Sequence, residues 1–140
     1  MDKKKVADIM TRRVICLHEE DNLKDIPRGM EKFSLRHLPV ISDDKLVGLI
    51  THRDVLRLAV GPLNAETMAG KRRQKQIDEN TFVAQVMTKN PKTVSPDTSI
   101  RDALKILVEN KFGCLPVVEE DGRLVGIVTE IDFLKLMMEQ

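Results

Sequence analysis

Leu46-Val47-Gly48-Leu49-Ile50-Thr51-His52-Arg53-Asp54 returns near the end of the chain as Leu124-Val125-Gly126-Ile127-Val128-Thr129-Glu130-Ile131-Asp132. Each copy is an apolar run of strand length with a glycine at its third position, followed by Thr-x-x-Asp. Two further matches lie upstream in the same order. Leu38-Pro39-Val40-Ile41 pairs with Leu115-Pro116-Val117-Val118, and Val6-Ala7-Asp8-Ile9-Met10-Thr11 pairs with Val83-Ala84-Gln85-Val86-Met87-Thr88. The spacing slips by one residue near Gly122. Three matches in register mean an internal duplication, which sets the architecture before any single element is assigned.

Both halves read alike. A short apolar run (Val14–Leu17 in the first, Thr93 and Val94 in the second) precedes a helical pattern. In the second half Ile100, Ala103, Leu104, Leu107 and Val108 fall on one helix face, with Asp97 or Thr98 as the cap. Two strand-like runs follow, joined by Glu120-Asp121-Gly122 or, less regularly, by Asp43-Asp44-Lys45. A final helix starts after Thr51 or Thr129. The first half departs at Pro27 and Gly29, which stand where the second has Leu104 and Ile106. A proline inside a helix removes a hydrogen bond and clashes, so this helix is expected to start late, with Asp25 as cap and Pro27 in the first turn.

The expected fold is therefore α+β, sandwich-like: two β-α-β-β-α repeats, each preceded by a turn of helix, packed with pseudo-twofold symmetry. The repeats span 1–60 and 81–140, with a linker at 61–80. Each is small enough to be marginal alone, so a shared core is expected.

Composition narrows the function classes. The 140 residues are 41% hydrophobic and 32% charged, with a net charge of +1. That is too apolar for a disordered chain and too balanced for one that coats nucleic acid. The basic run Lys71–Lys75 reads as a solvated linker face. No apolar run reaches membrane-span length, and Asp8, Arg12 and Arg13 interrupt any secretory pattern. Cys16 and Cys114 form no paired framework, which suits a reducing cytoplasm. With His18, His37 and His52 they show no zinc-ligand spacing. Cys114 reads as a small buried residue before a strand. No acid, base and nucleophile converge, so no catalytic residue, metal or catalytic cofactor is expected. The chain has four Phe and no Tyr or Trp, so a flat ligand would be held by backbone and aliphatic groups.

Taken together, the paired V-A-x-h-M-T openings, the L-P-V-h strands and the Gly-h-h-Thr-x-x-Asp segments (h, apolar) resemble the CBS domain pair, or Bateman module. The resemblance implies a regulatory sensor that binds an adenine nucleotide or related adenosyl compound and does no catalysis. It also implies composite sites. One would use Thr51 and Asp54 with Thr88–Lys92 and Phe112; the other would use Thr129 and Asp132 with Thr11–Ile15 and Leu35. Basic residues at Arg36 and His37, beside His52 and Arg53, would meet phosphate at the first.

The Thr-x-x-Asp element has its own chemistry. At a strand-to-helix junction, backbone N–H groups and a Thr hydroxyl favour phosphate, and the carboxylate can accept from vicinal ribose hydroxyls. The same four residues are also a capping box, and the two roles can coexist. The sites differ in charge. Arg36, His37, His52 and Arg53 surround the first motif, whereas Gly113, Cys114, Glu130 and Ile131 occupy the matching places in the second. Arginine forks suit phosphate, so AMP, ADP or ATP is expected at Asp54, and an empty or less charged site at Asp132. The implied assembly is a homodimer through the paired helices, acting in trans on an effector protein of unknown identity. No nucleic acid or membrane partner is expected. A ligand-free dimerisation scaffold is the alternative reading.

Overall fold

The computed structural model describes residues 4–60 and 67–139. In chain order the elements are α1 (Val6–Ile9), β1 (Leu17–His18), α2 (Ile26–Lys32), β2 (His37–Ser42), β3 (Lys45–Thr51), α3 (His52–Val60), α4 (Met68–Asn80), α5 (Val83–Val86), β4 (Thr88–Lys89), α6 (Ile100–Asn110), β5 (Cys114–Val118), β6 (Leu124–Thr129) and α7 (Glu130–Met138). The mixed α+β succession repeats, as the duplicated sequence requires.

Two compact units form, and each contains the opening of the other repeat. One gathers Cys16–Ser42 and Val47–Asn90, so the first repeat's strands and helices carry α5 and β4 from the second. The other gathers the residues up to Ile15, the stretch Asp43–Leu46 and the described chain from Pro91 onward. The repeat boundaries and the packing boundaries are therefore different.

In the first-repeat unit the sheet runs β1-β2-β3-β4. Strand β1 is parallel to β2 (Leu17 opposite Val40), and β3 is antiparallel to β4 (Leu49 opposite Thr88). Leu23, Ile26, Met30, Leu38, Val40, Ile50, Val55 and Val83 fill the core beneath it. Helix α2 starts directly after Asp25 with Pro27 in its first turn, although the Asp25 side chain makes no capping bond. Helix α5 is tied in by backbone bonds from Val83 N–H to Asp21 O at 2.7 Å and from Ala84 N–H to Glu19 O at 3.2 Å.

The second-repeat unit is built in the same way. Strands β5 and β6 are antiparallel, with Leu115 opposite Val128. Val94 bridges Val117 in parallel, and Thr11 bridges Ile127 from the far side. Its core is aliphatic save for Phe133, and includes Val6 and Met10 from the start of the chain. Helix α6 is capped by Ser99, whose hydroxyl accepts from Asp102 N–H at 3.0 Å. This corrects the expectation of Asp97 or Thr98. The Thr98 hydroxyl is occupied instead by Ser95 N–H at 3.0 Å, and the first buried helical residue, Ile100, directly follows Ser99.

Both hairpin turns are hydrogen-bonded to one another in this unit. Leu46 N–H donates to Gly122 O and Leu124 N–H to Asp44 O, each at 3.0 Å. Gly122 has φ +89°, whereas Asp43 and Asp44 hold φ of 51° and 67° without being glycine. Two successive positive φ values are what a type I′ turn requires, and a side chain there is disfavoured. Asp44→Gly is therefore expected to raise stability by about 0.5–1 kcal/mol. A melting temperature unchanged or lowered in calorimetry would contradict it.

Much of the expected linker is helical. Helix α4 is capped by Thr67, whose hydroxyl accepts from Gly70 N–H at 2.9 Å. Lys71, Arg72, Arg73 and Lys75 are all exposed. Gly61 and Pro62, the expected start of the linker, lie outside the described residues.

Candidate functional site

Where β3 gives way to α3, the sequence changes from a continuous apolar run to Thr51-His52-Arg53-Asp54. Thr51 donates to Asp54 Oδ2 twice, from its backbone N–H at 2.9 Å and its hydroxyl at 3.0 Å. Asp54 N–H returns a bond to Thr51 Oγ1 at 3.3 Å. The capping box is thus closed in both directions, and both side chains are half-buried. Both Thr51 donors end on one carboxylate oxygen.

The same junction brings the basic residues in. His52 N–H donates to Arg36 O at 2.7 Å, which sets the start of β2 against the start of α3. Arg36 and Arg53 are exposed, as is His52, and His37 is half-buried. Strand β4 places Thr88 opposite Leu49, two residues before Thr51. Thr51, Asp54, Arg36, His37, Arg53 and Thr88 all belong to this one unit. Lys92 and Phe112, expected with them, belong to the other.

At the matching junction, Thr129 N–H donates to Asp132 Oδ2 at 2.8 Å and Glu130 N–H to Gly113 O at 3.3 Å. Thr11 exchanges two backbone bonds with Ile127, at 2.9 and 3.0 Å. Thr11 and Ile15 share this unit with Thr129 and Asp132, whereas Leu35 packs on the first-repeat core. Here the flanking side chains are Glu130 and Ile131, and Gly113 contributes only backbone. The two junctions share a backbone plan and differ in charge.

Cys114 opens β5 and is buried, which pushes its thiol up to about 12. A thiol so far from ionising is a packing residue rather than a nucleophile. Among the described residues, no group of three or more His, Cys, Asp and Glu side chains is placed to hold a metal ion.

One pairing escaped the reading of the sequence. A Cβ on Gly126 would stand 2.6 Å from Met10 Sδ and 3.1 Å from Thr11 O, and Met87 covers Gly48 in the same way. The methionine of each V-A-x-h-M-T opening therefore lies over the glycine of the opposite repeat's Gly-h-h-Thr run. The recurrence of Met and Gly in both copies was the available signal. Gly126→Ala is expected to cost about 1–3 kcal/mol, since both a side chain and a carbonyl must shift. A melting temperature within a degree of the parent would show the contact to be slack.

The CBS domain model matches residues 6–61 and 83–139, so the chain belongs to the CBS domain family. It is 33% identical over 93% of its length to the uncharacterised protein MJ1225 of Methanocaldococcus jannaschii, and covers 46% of that protein. It is 34% identical to an inosine-5′-monophosphate dehydrogenase of the same organism, of which it covers 23%. The chain thus spans less than half of either relative. Among solved structures, CBSX2 in complex with AMP superposes with a TM-score of 0.80 at 30% identity, with 97% of both chains covered. These matches establish a CBS pair. No helix among the described residues is long and apolar enough to cross a membrane.

Proposed function

We propose that the chain is a regulatory module that binds an adenine nucleotide at the Thr51–Asp54 junction and relays occupancy to an effector protein in trans. The observation that carries this reading is the closed Thr51–Asp54 box with Arg36 and Arg53 beside it. Ribose hydroxyls would donate to Asp54 Oδ1, the oxygen Thr51 leaves alone, while α3's first N–H groups and the arginines meet phosphate. Thr88, on the neighbouring strand opposite Leu49, would contact the nucleoside. The AMP complex of CBSX2 supports a nucleotide as ligand. The Asp132 junction, with Glu130 in place of His52, would take a less charged adenosyl group or stay empty. The module acts by binding, as a cytoplasmic homodimer, the commonest closed assembly. Its output requires a ligand that distinguishes two states of the protein.

Thermal melts with and without millimolar AMP, ATP, NAD and S-adenosylmethionine test it. Saturation at about 100 times Kd adds about 2.7 kcal/mol and raises Tm. No shift with any of the four would favour a ligand-free scaffold. Mass spectrometry of small molecules released on denaturation would identify a resident ligand.

A further inference from the structure

Helix α4 takes no part in building the fold's interior: none of its described side chains enters either core. Met68, Lys71, Arg72, Lys75 and Glu79 fall at i, i+3, i+4, i+7 and i+11, the spacing that places side chains on one stripe of a helix. Lys71, Arg72 and Lys75 are exposed, as is Arg73 on the flank. Glu79 is tied internally, at 3.9 Å to Lys24 and 4.0 Å to Lys75. Lys71 and Arg72 enter no ion pair among the described residues. A basic run alone would be a solvated face. This one is flanked by large apolar side chains standing in water. Met68 heads the stripe at 72% exposure, and Phe82 lies just past the helix end at 52%.

We infer that the basic stripe of α4 is the surface on which the effector protein docks, through an acidic patch of its own. The inference rests on the regulatory reading above and adds the surface. Charge complementarity selects the occupant: Lys71, Arg72, Arg73 and Lys75, with no acidic residue among them, call for a polyanion. The surroundings choose among polyanions. A nucleic acid is drawn by a basic excess over the whole domain, and the net charge here is +1. A lipid surface needs a continuous apolar face, and this stripe carries cations where such a face would lie. A protein surface takes both kinds of group, since Met, Phe and Arg are enriched where proteins meet. Position joins the stripe to the nucleotide. Beyond α4 the chain runs through α5 and Met87, which covers Gly48, to Thr88, opposite Leu49 on the strand that ends at Thr51. All of these belong to one compact unit.

Fluorescence anisotropy on the full chain tests this, with a fluorescein-labelled peptide alternating Glu and Leu as the probe. The peptide should bind, and raised salt should weaken it. Lys71→Gln, Arg72→Gln and Lys75→Gln together should lower its affinity about 10-fold or more, with far-UV circular dichroism and the AMP melt shift retained. Arg101→Gln, Lys105→Gln and Lys135→Gln remove equal charge from exposed residues of the other unit, and should change it less than about twofold. Met68→Gln should cost about threefold or more. Saturating AMP should change the peptide affinity by about threefold or more. No binding by the parent, or equal losses from the two triple variants, would overturn the surface. Oligouridylate of matched charge or phosphatidylserine vesicles bound more tightly than the peptide would overturn the protein partner. A peptide affinity unmoved by AMP, with the AMP melt shift intact, would overturn α4 as the output face. A missing AMP shift with peptide binding intact would overturn the nucleotide reading and leave the surface standing.

Discussion

Asp54→Ala should lower the affinity for AMP by about 10- to 100-fold, while Asp132→Ala should change it by less than threefold. Losing a hydrogen bond to a charged group costs about 1.5–3 kcal/mol, which gives the first figure. The comparison is informative because both aspartates hold the backbone at the start of a helix, Asp54 with one further bond from the Thr51 hydroxyl. Each accepts from the N–H of a threonine three residues earlier, at 2.9 Å for Asp54 and 2.8 Å for Asp132. Both substitutions therefore open a capping box, at about 0.5–2 kcal/mol, and both should lower the ligand-free melting temperature. Only the neighbours differ: Arg36, His52 and Arg53 at one junction, Gly113, Glu130 and Ile131 at the other. Isothermal titration of AMP into the two variants separates cap from ligand contact. Equal losses of affinity would sink the asymmetry, and no loss from Asp54→Ala would leave that carboxylate as a cap alone.

The elements with strong local signals were legible, whereas α4, inside the expected linker, and the short β4 were not. Continuous apolar runs mark β3 and β6, the i, i+3, i+4 pattern marks α6, and Pro27 marks where α2 must begin. The Thr-x-x-Asp junctions were legible for the same reason, since all four residues sit within one turn. The long-range pairings were not. Nothing near Val6 says that it packs under Leu115 and Val128, more than a hundred residues away, and a β-bridge at Thr11 needs a partner that periodicity does not name. The repeat suggested that such partners exist but left open which copy supplies them. Met10 over Gly126 belongs to the same class, because a glycine kept clear for a methionine looks, in sequence, like any glycine in a strand. Lys92, Phe112 and Leu35 show the other limit. They were assigned by resemblance, and sequence position alone does not say which compact unit holds them.

That exchange of openings leads to an expectation that a reading of the repeats as self-contained would reverse. Val6→Asp, a change inside the first repeat by sequence, should destabilise the core of the second. Val6 is fully buried among Ile100, Leu107, Leu115 and Val128, and its N–H donates to Thr98 O at 2.9 Å. A carboxylate there has no partner, and either its charge or its protonation must be accommodated in an aliphatic core. The expected cost is about 4 kcal/mol or more, a large part of what a domain of this size holds in reserve. Native-state hydrogen exchange reads where the damage falls. Protection should be lost at the amides of Leu115 and Val128 and kept longer at Val40 and Ile50, which lie in the other core. Val83→Asp should do the converse, because Val83 is fully buried beside Val40 and Ile50. If Val6→Asp instead opened Val40 and Ile50 first, each opening would belong to its own repeat and the observed packing would be wrong. The same physics explains why the duplication is held in one chain. Each compact unit lacks a fully buried valine and a methionine until the other repeat supplies them.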